Sequence, residues 1–183
     1  LLAGSLGSVT AIAMAAFNPL RALLLPVLLL SQAIPIFALA PVLTLWLGYG
    51  FWPKVVMALL IVYFPVTSSF FDGLMRTPPQ WLNLARQLNA KPRLLMWHIR
   101  IPAALPALAS GLRLAAVYAP VGAIIGEWVG ASQGLGYLML FANGRAKTEL
   151  MCAALAVLLI VTLALRGAME LFCRSLLLRK PHA

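Results

Sequence analysis

Residues 81–106 read WLNLARQLNAKPRLLMWHIRIPAALP and form most of the one long polar segment of the chain, residues 74–106, which holds Arg76, Arg86, Lys91, Arg93, His98 and Arg100. Outward from it the sequence is almost uncharged, with charge-free stretches at 1–20, 22–53, 55–71, 114–126, 128–144 and 150–165. A helix that crosses a bilayer needs ~17 to 25 mostly apolar residues. The stretches therefore predict five transmembrane helices. Three precede the polar segment, at about 1–17, 24–47 and 54–73; the fourth runs from just after Pro106 to about Val129, and the fifth covers about 149–171. The expected architecture is all-α and polytopic, a single domain over residues 1–183 with 74–106 as its principal loop.

Composition points the same way. Of the 183 residues, 63% are apolar and only 10% are charged, with a mean hydropathy of +0.97, whereas a soluble domain carries roughly 25% charged residues. Lys and Arg outnumber Asp and Glu 14 to 4. Membrane proteins keep such an excess in cytoplasmic loops, so the polar segment is placed inside. Arg21, Arg113, Arg166, Arg174, Arg179 and Lys180 then join its five Lys and Arg at the inner boundary, and Lys54, Arg145 and Lys147 lie outside. The inverted topology would reverse this distribution and is rejected. The net charge of +10 becomes an orientation signal, and no nucleic-acid partner is needed to explain it. Within the spans, Pro26, Pro35 and Pro41 predict a kinked second helix, because each proline removes a backbone donor. Ala3, Gly4, Gly7, Ala11 and Ala15 give the first helix a small-residue face suited to close packing in lipid. The chain opens at Leu1 without a methionine and reads as truncated or processed at its start, with any further N-terminal helix absent.

Chemistry of its own is hard to build from this inventory. The chain has one Asp, three Glu and two His, and no pair of them converges at hydrogen-bonding range in the predicted topology. Cys152 and Cys173 show neither metal-ligand spacing nor a disulfide framework, so no metal site is expected. There is no G-x-x-x-x-G-K-[ST] phosphate loop, so any ATP used is bound by another chain.

The segment 81–106 reads as a short helix, a turn at Asn89–Pro92 and a second helix. Basic and amphipathic, with Leu82, Leu84, Ala85 and Leu88 on the first piece, it suits either the membrane surface or a groove on a partner. Its spacing resembles the cytoplasmic EAA loop of bacterial ABC importer permeases, whose pattern is E-A-A, three residues, G, nine residues, I-x-L-P. Asn83-Leu84-Ala85 stands at the E-A-A positions, Asn89 at the glycine, and Ile99-Arg100-Ile101-Pro102 at the closing element, with fifteen residues between Asn83 and Ile99. The acidic first residue and the glycine are replaced, which bears on the strength of ATPase coupling. Asn89 is suited to the glycine's place because Asn tolerates the left-handed conformation. Gln32-Ala33-Ile34-Pro35, Trp46-Leu47-Gly48-Tyr49-Gly50, Pro106 to Ala115 and Gly126 to Leu138 resemble the nitrate, sulfonate and taurine branch. The Gly126-Glu127-Trp128 and Gly134-Leu135-Gly136-Tyr137 wording resembles its hydroxymethylpyrimidine permeases, which transport a thiamine precursor.

The resemblance implies the transmembrane subunit of an importer in a bacterial inner membrane, with a fold like the methionine-importer permease core. Two permease copies would form the pathway, cytoplasmic ATPases would hold the ATP, and a periplasmic binding protein would deliver a small polar solute. Coupling would fall to Asn83, Leu84, Ala85, Arg86, Leu88, Asn89, Ile99, Ile101 and Pro102. The short loop helix, held by Pro102 and Pro106 at the mouth of the fourth span, would act as the lever. Gln32, Tyr63, Ser68 and Glu127 are candidates for the translocation pathway. Helix–helix hydrogen bonding is favoured over a pathway role for the first three, and an interfacial or structural partner is favoured for Glu127. Arg113 reads as a snorkelling or lipid-capping residue. Trp46, Tyr49, Trp52 and Trp128 suit an outer aromatic belt. Two other classes stand beside this one: a stand-alone secondary transporter, which would show paired repeats and intramembrane ion-coupling groups, and a membrane enzyme, which would need a convergent polar site.

Overall fold

The computed structural model describes residues 2–178, so Arg179, Lys180 and His182 of the basic tail lie outside the described residues. The chain forms α1 (Leu2–Ala16), α2 (Asn18–Ala33), α3 (Ile36–Leu47), α4 (Phe51–Met75), α5 (Pro79–Gln87) and α6 (Pro92–Leu95). A π-helical turn, Met96–Arg100, leads into α7 (Ile101–Trp128), followed by α8 (Leu135–Gly144) and α9 (Thr148–Leu178). Among the described residues there is no strand.

Three helical runs are long and apolar enough to cross a membrane, namely Phe51–Met75, Pro92–Trp128 and Thr148–Leu177. They carry the third, fourth and fifth expected spans. The second span is not one kinked helix: it is the pair α2 and α3, bent by 104° at a break around Ile34 and Pro35. Of the three prolines, Pro26 and Pro41 sit inside helices, and Pro35 stands at the break as the residue before α3. The first span is a helix of 15 residues, shorter than the ~20 that a hydrocarbon core of ~30 Å requires.

Packing between α1 and α4 shows what the bent pair must do. A Cβ on Gly7 would meet Thr67 Oγ1 at 2.8 Å, and Met14 shares a buried cluster with Phe70, Phe71 and Leu74. Positions rise together along both helices, so α1 and α4 are parallel. The chain leaves α1 at one end of the bundle and enters α4 at the other, which makes α2 and α3 a broken crossing rather than a re-entrant loop. The same reasoning makes α4 and α7 antiparallel, because a Cβ on Gly73 would meet Ala107 and one on Gly126 would meet Lys54. Without water to squeeze out, helices in lipid hold by close packing, and glycine on α7 allows it: a Cβ on Gly111 would lie 2.7 Å from the carbonyl oxygen of Pro65.

A cluster of buried apolar side chains lies toward the end that carries the polar loop. Ala11 and Met14 of α1, Leu28 of α2, Phe70, Phe71 and Leu74 of α4, Met96 of the π turn and Ala104 of α7 are all buried in it. Helical hydroxyls are spent locally, as in Thr67 Oγ1 donating to the Tyr63 carbonyl at 2.9 Å and Thr162 Oγ1 to the Leu158 carbonyl at 2.7 Å, which satisfies them in a medium without water. The fourth span was expected to start after Pro106. Instead Pro102 and Pro106 lie within α7, and Ile101 N–H bonds to the Met96 carbonyl five residues back. A π turn of this kind absorbs an irregularity without ending the helix, so the second piece of the loop and the span are one continuous rod, with α5 set off from it by the turn at 88–91.

Candidate functional site

Pro78 and Pro79 open α5, where the missing donor of a proline at the first helical position costs nothing. Its far end closes with two bonds, Asn89 N–H to the Arg86 carbonyl at 3.0 Å and Ala90 N–H to the Ala85 carbonyl at 2.9 Å. Asn89 has φ 51°. This is the Schellman arrangement with its left-handed residue just past the helix, and Asn89 fills the place of the glycine in the EAA pattern.

The faces of α5 differ from the expectation in one respect. Leu84 and Leu88 are 58% and 73% exposed, and Trp81 is 49% exposed, but Ala85 is 4% exposed. Ala85 is therefore an anchor on the chain's own body and not a residue offered to a partner. Trp81, which sequence reasoning left out of the coupling set, joins Leu84 and Leu88 because offsets of three and four residues share a helix face. That spacing was visible in the sequence. Asn83 and Arg86 are exposed, whereas Ile99, Ile101 and Pro102 are half-buried where the rod meets the bundle. Leu94 and Trp97 are exposed on the second piece, with Met96 turned into the core.

The pathway candidates separate. Gln32 and Tyr63 line one cavity of about 260 Å³ between the α2–α3 break and α4, with Leu28 and Ser31. Ser68 lies farther along α4 and is half-buried. Glu127 is at the other end of the bundle, where its carboxylate accepts a hydrogen bond from Gly136 N–H at 2.6 Å. The carboxylate thus caps the first turn of α8, where the free N–H groups and the helix dipole favour negative charge. The space is closed tightly: a Cβ on Gly136 would come within 2.9 Å of the Ile124 carbonyl and 3.0 Å of Glu127 Cβ. The Gly134-Leu135-Gly136-Tyr137 wording is thus the start of α8, a helix of 10 residues, too short for a count of spans to register.

Arg113 does not snorkel freely. It pairs with Glu170 of α9, which also takes a hydrogen bond from Arg174 Nε at 3.1 Å. Nothing in the sequence linked residues 57 positions apart. At the outer end, Trp46, Tyr49 and Trp52 are strongly exposed, as expected of an aromatic belt, and Phe37 meets Trp128 edge to face at 6.2 Å.

Comparison with known proteins accords with this architecture. A solved structure described as an amino acid ABC transporter with histidines aligns with a TM-score of 0.70 at 15% identity, covering 95% of this chain and 87% of that one, which is a likeness of fold. A probable ABC transporter permease of Haemophilus influenzae is 53% identical over 87% of this chain and 65% of its own length. The formylaminopyrimidine transport permease ThiX of Halalkalibacterium halodurans is 44% identical over 61% of this chain and 45% of its own. The taurine transport permease TauC of Escherichia coli is 27% identical over 90% and 60%. The chain thus spans roughly half to two thirds of the length of these relatives. Residues 3–176 match the family model of binding-protein-dependent transport system inner membrane components, and the chain belongs to that family of multi-pass inner-membrane permeases.

Proposed function

We propose that this chain is the membrane-spanning subunit of an ATP-driven importer that takes a small polar solute from an external binding protein. Two copies form the pathway, and a cytoplasmic ATPase binds and hydrolyses the ATP, so the permease itself needs no cofactor. The observation that carries this reading is the loop. Trp81, Leu84 and Leu88 stand exposed on α5 with the buried Ala85 flanking them at the edge of the same face, and the π turn makes the second piece of the loop continuous with α7. An exposed apolar stripe outside the lipid is costly to leave in water and suits a groove on another protein. A push on α5 passes through the short turn at 88–91, closed by the bonds of Asn89 and Ala90, into α6 and so into α7 without a further break, which is rigid-body alternating access in physical terms. The test is Leu84→Asp with Leu88→Asp, made on the exposed side. The full permease is expected to remain inserted and folded but to lose co-purification with its ATPase by more than tenfold; unchanged co-purification would overturn the docking role.

The solute we favour is a pyrimidine precursor of thiamine, supported by the 44% identity to a formylaminopyrimidine permease. Gln32 and Tyr63 offer an amide and a hydroxyl in the cavity beside the α2–α3 break, groups able to bond a heteroaromatic ring. An aliphatic sulfonate or taurine is the second reading, since the taurine permease aligns over 90% of the chain. Calorimetry on the cognate binding protein with hydroxymethylpyrimidine, formylaminopyrimidine and taurine separates the two: tight binding of taurine alone would exclude the pyrimidines.

A further inference from the structure

The inner end of α1, the second piece of the loop and the π turn enclose a cavity of about 410 Å³ that no coupling or pathway role uses. Ile12, Ala15 and Phe17 form one wall, and Arg93, Trp97 and Arg100 line the other. Arg100 Nε is buried and has no hydrogen-bond partner, and neither arginine is among the described ion pairs. No carboxylate lines the cavity. Of the chain's four acids, Glu170 is held by Arg113 and Arg174, Glu127 caps α8, Glu149 lies in the first turn of α9 at the outer end, and Asp72 is exposed on α4. Two cations beside an apolar wall at the inner boundary therefore call for an anion with a hydrocarbon part.

We propose that this cavity holds an anionic phospholipid of the inner leaflet, with its phosphate on Arg93 and Arg100 and the start of an acyl chain along Ile12, Ala15 and Phe17. Arginine suits phosphate because its planar fork presents paired donors. Basic pockets between helices on the cytoplasmic side recognise lipid headgroups by this chemistry. The ATPase is the weaker occupant because its proposed stripe, Trp81, Leu84 and Leu88, contributes no residue to the cavity. A lipid here would wedge between α1 and the coupling rod, tying the transporter's lever to the charge of the leaflet.

Native mass spectrometry tests this on the full permease in detergent, offered equal amounts of phosphatidylglycerol and phosphatidylcholine. The unaltered protein is expected to retain phosphatidylglycerol preferentially. Each cation near such a surface contributes roughly fivefold in binding, so Arg93→Gln with Arg100→Gln should reduce the preference about 25-fold. Lys147→Gln, which removes a charge at the opposite end, should leave it unchanged. Inorganic phosphate at millimolar concentration should not displace the lipid; displacement would mean a free-anion site and overturn the proposal. So would an unaltered protein without preference, or a double variant that loses its ATPase while keeping phosphatidylglycerol. If the double variant fails to fold, Phe17→Asp at an exposed position places a carboxylate along the wall proposed for the acyl chain and adds a negative charge to the cavity, and an undiminished preference there would equally overturn it.

Discussion

The two ends of α7 are built differently. At the inner end the helix does not stop: it passes through the π turn Met96–Arg100 into α6, and Met96 and Ala104 are locked into the main core. At the outer end it stops at Trp128, and the next helix is held by one carboxylate and by glycines that let two backbones touch. One end runs on unbroken into its neighbour and the other is clamped to it. The difference teaches that the second piece of the loop, which a count of hydrophobic residues would label a connector, is part of a span. The apolar α8 at the outer end, with 10 residues, is too short to cross a hydrocarbon core of ~30 Å.

The largest effect that separates the ends is expected for Ala85→Glu. Ala85 is buried against the chain's own body, and a charge placed there without a partner costs several kcal/mol. Loss of folded protein in detergent, read by size-exclusion chromatography, is the expected outcome, in contrast to Leu84→Asp with Leu88→Asp. A well-folded Ala85→Glu protein that fails only to bind the ATPase would mean that Ala85 faces the partner after all.

Next comes Gly136→Val, aimed at the outer end. Its side chain would collide with the Ile124 carbonyl and Glu127, and overpacking of this kind costs about 1–3 kcal/mol. A lowered melting temperature with unchanged ATPase association is expected. Loss of ATPase association would show that the outer clamp also governs the loop. Glu127→Gln should have a smaller effect, about 1 kcal/mol in thermal stability, because the amide oxygen keeps the bond to Gly136 N–H but gives up its charge. If Glu127 lined the pathway instead, uptake would fall while the melting temperature stayed constant.

Much of this was legible in the sequence, and the limits have physical causes. Charge-free length located the three long spans because the bilayer imposes that length on any helix. The EAA spacing located the loop, and the left-handed role of Asn89 followed from its side chain. The break at Pro35 exceeds the expected kink because proline content alone does not set an angle: Ile34 and Pro35 both leave the helix for extended backbone. The inward turn of Ala85 depends on which side of α5 meets the bundle, and both sides carry apolar residues. The pair Arg113–Glu170 joins helices far apart in sequence, so no local pattern announces it.

The finest test concerns Asn89, the point at which the loop either stays a rigid arm or frays. Its φ of 51° is affordable for Asn and easier for Gly, whereas a β-branched side chain is strained there. Asn89→Gly relieves the left-handed backbone but loosens the unfolded chain, and the two effects nearly cancel. Stability should therefore change by less than about 0.5 kcal/mol in that variant and fall by about 1–2 kcal/mol in Asn89→Val. Because the residue also sets where α5 ends, the valine variant should weaken ATPase association as well as stability, while the glycine variant, restoring the EAA pattern, should bind at least as well as the parent. A valine variant with unaltered association would show that the stripe of Trp81, Leu84 and Leu88 docks without help from the turn behind it, and that the arm's rigidity comes from the π turn alone.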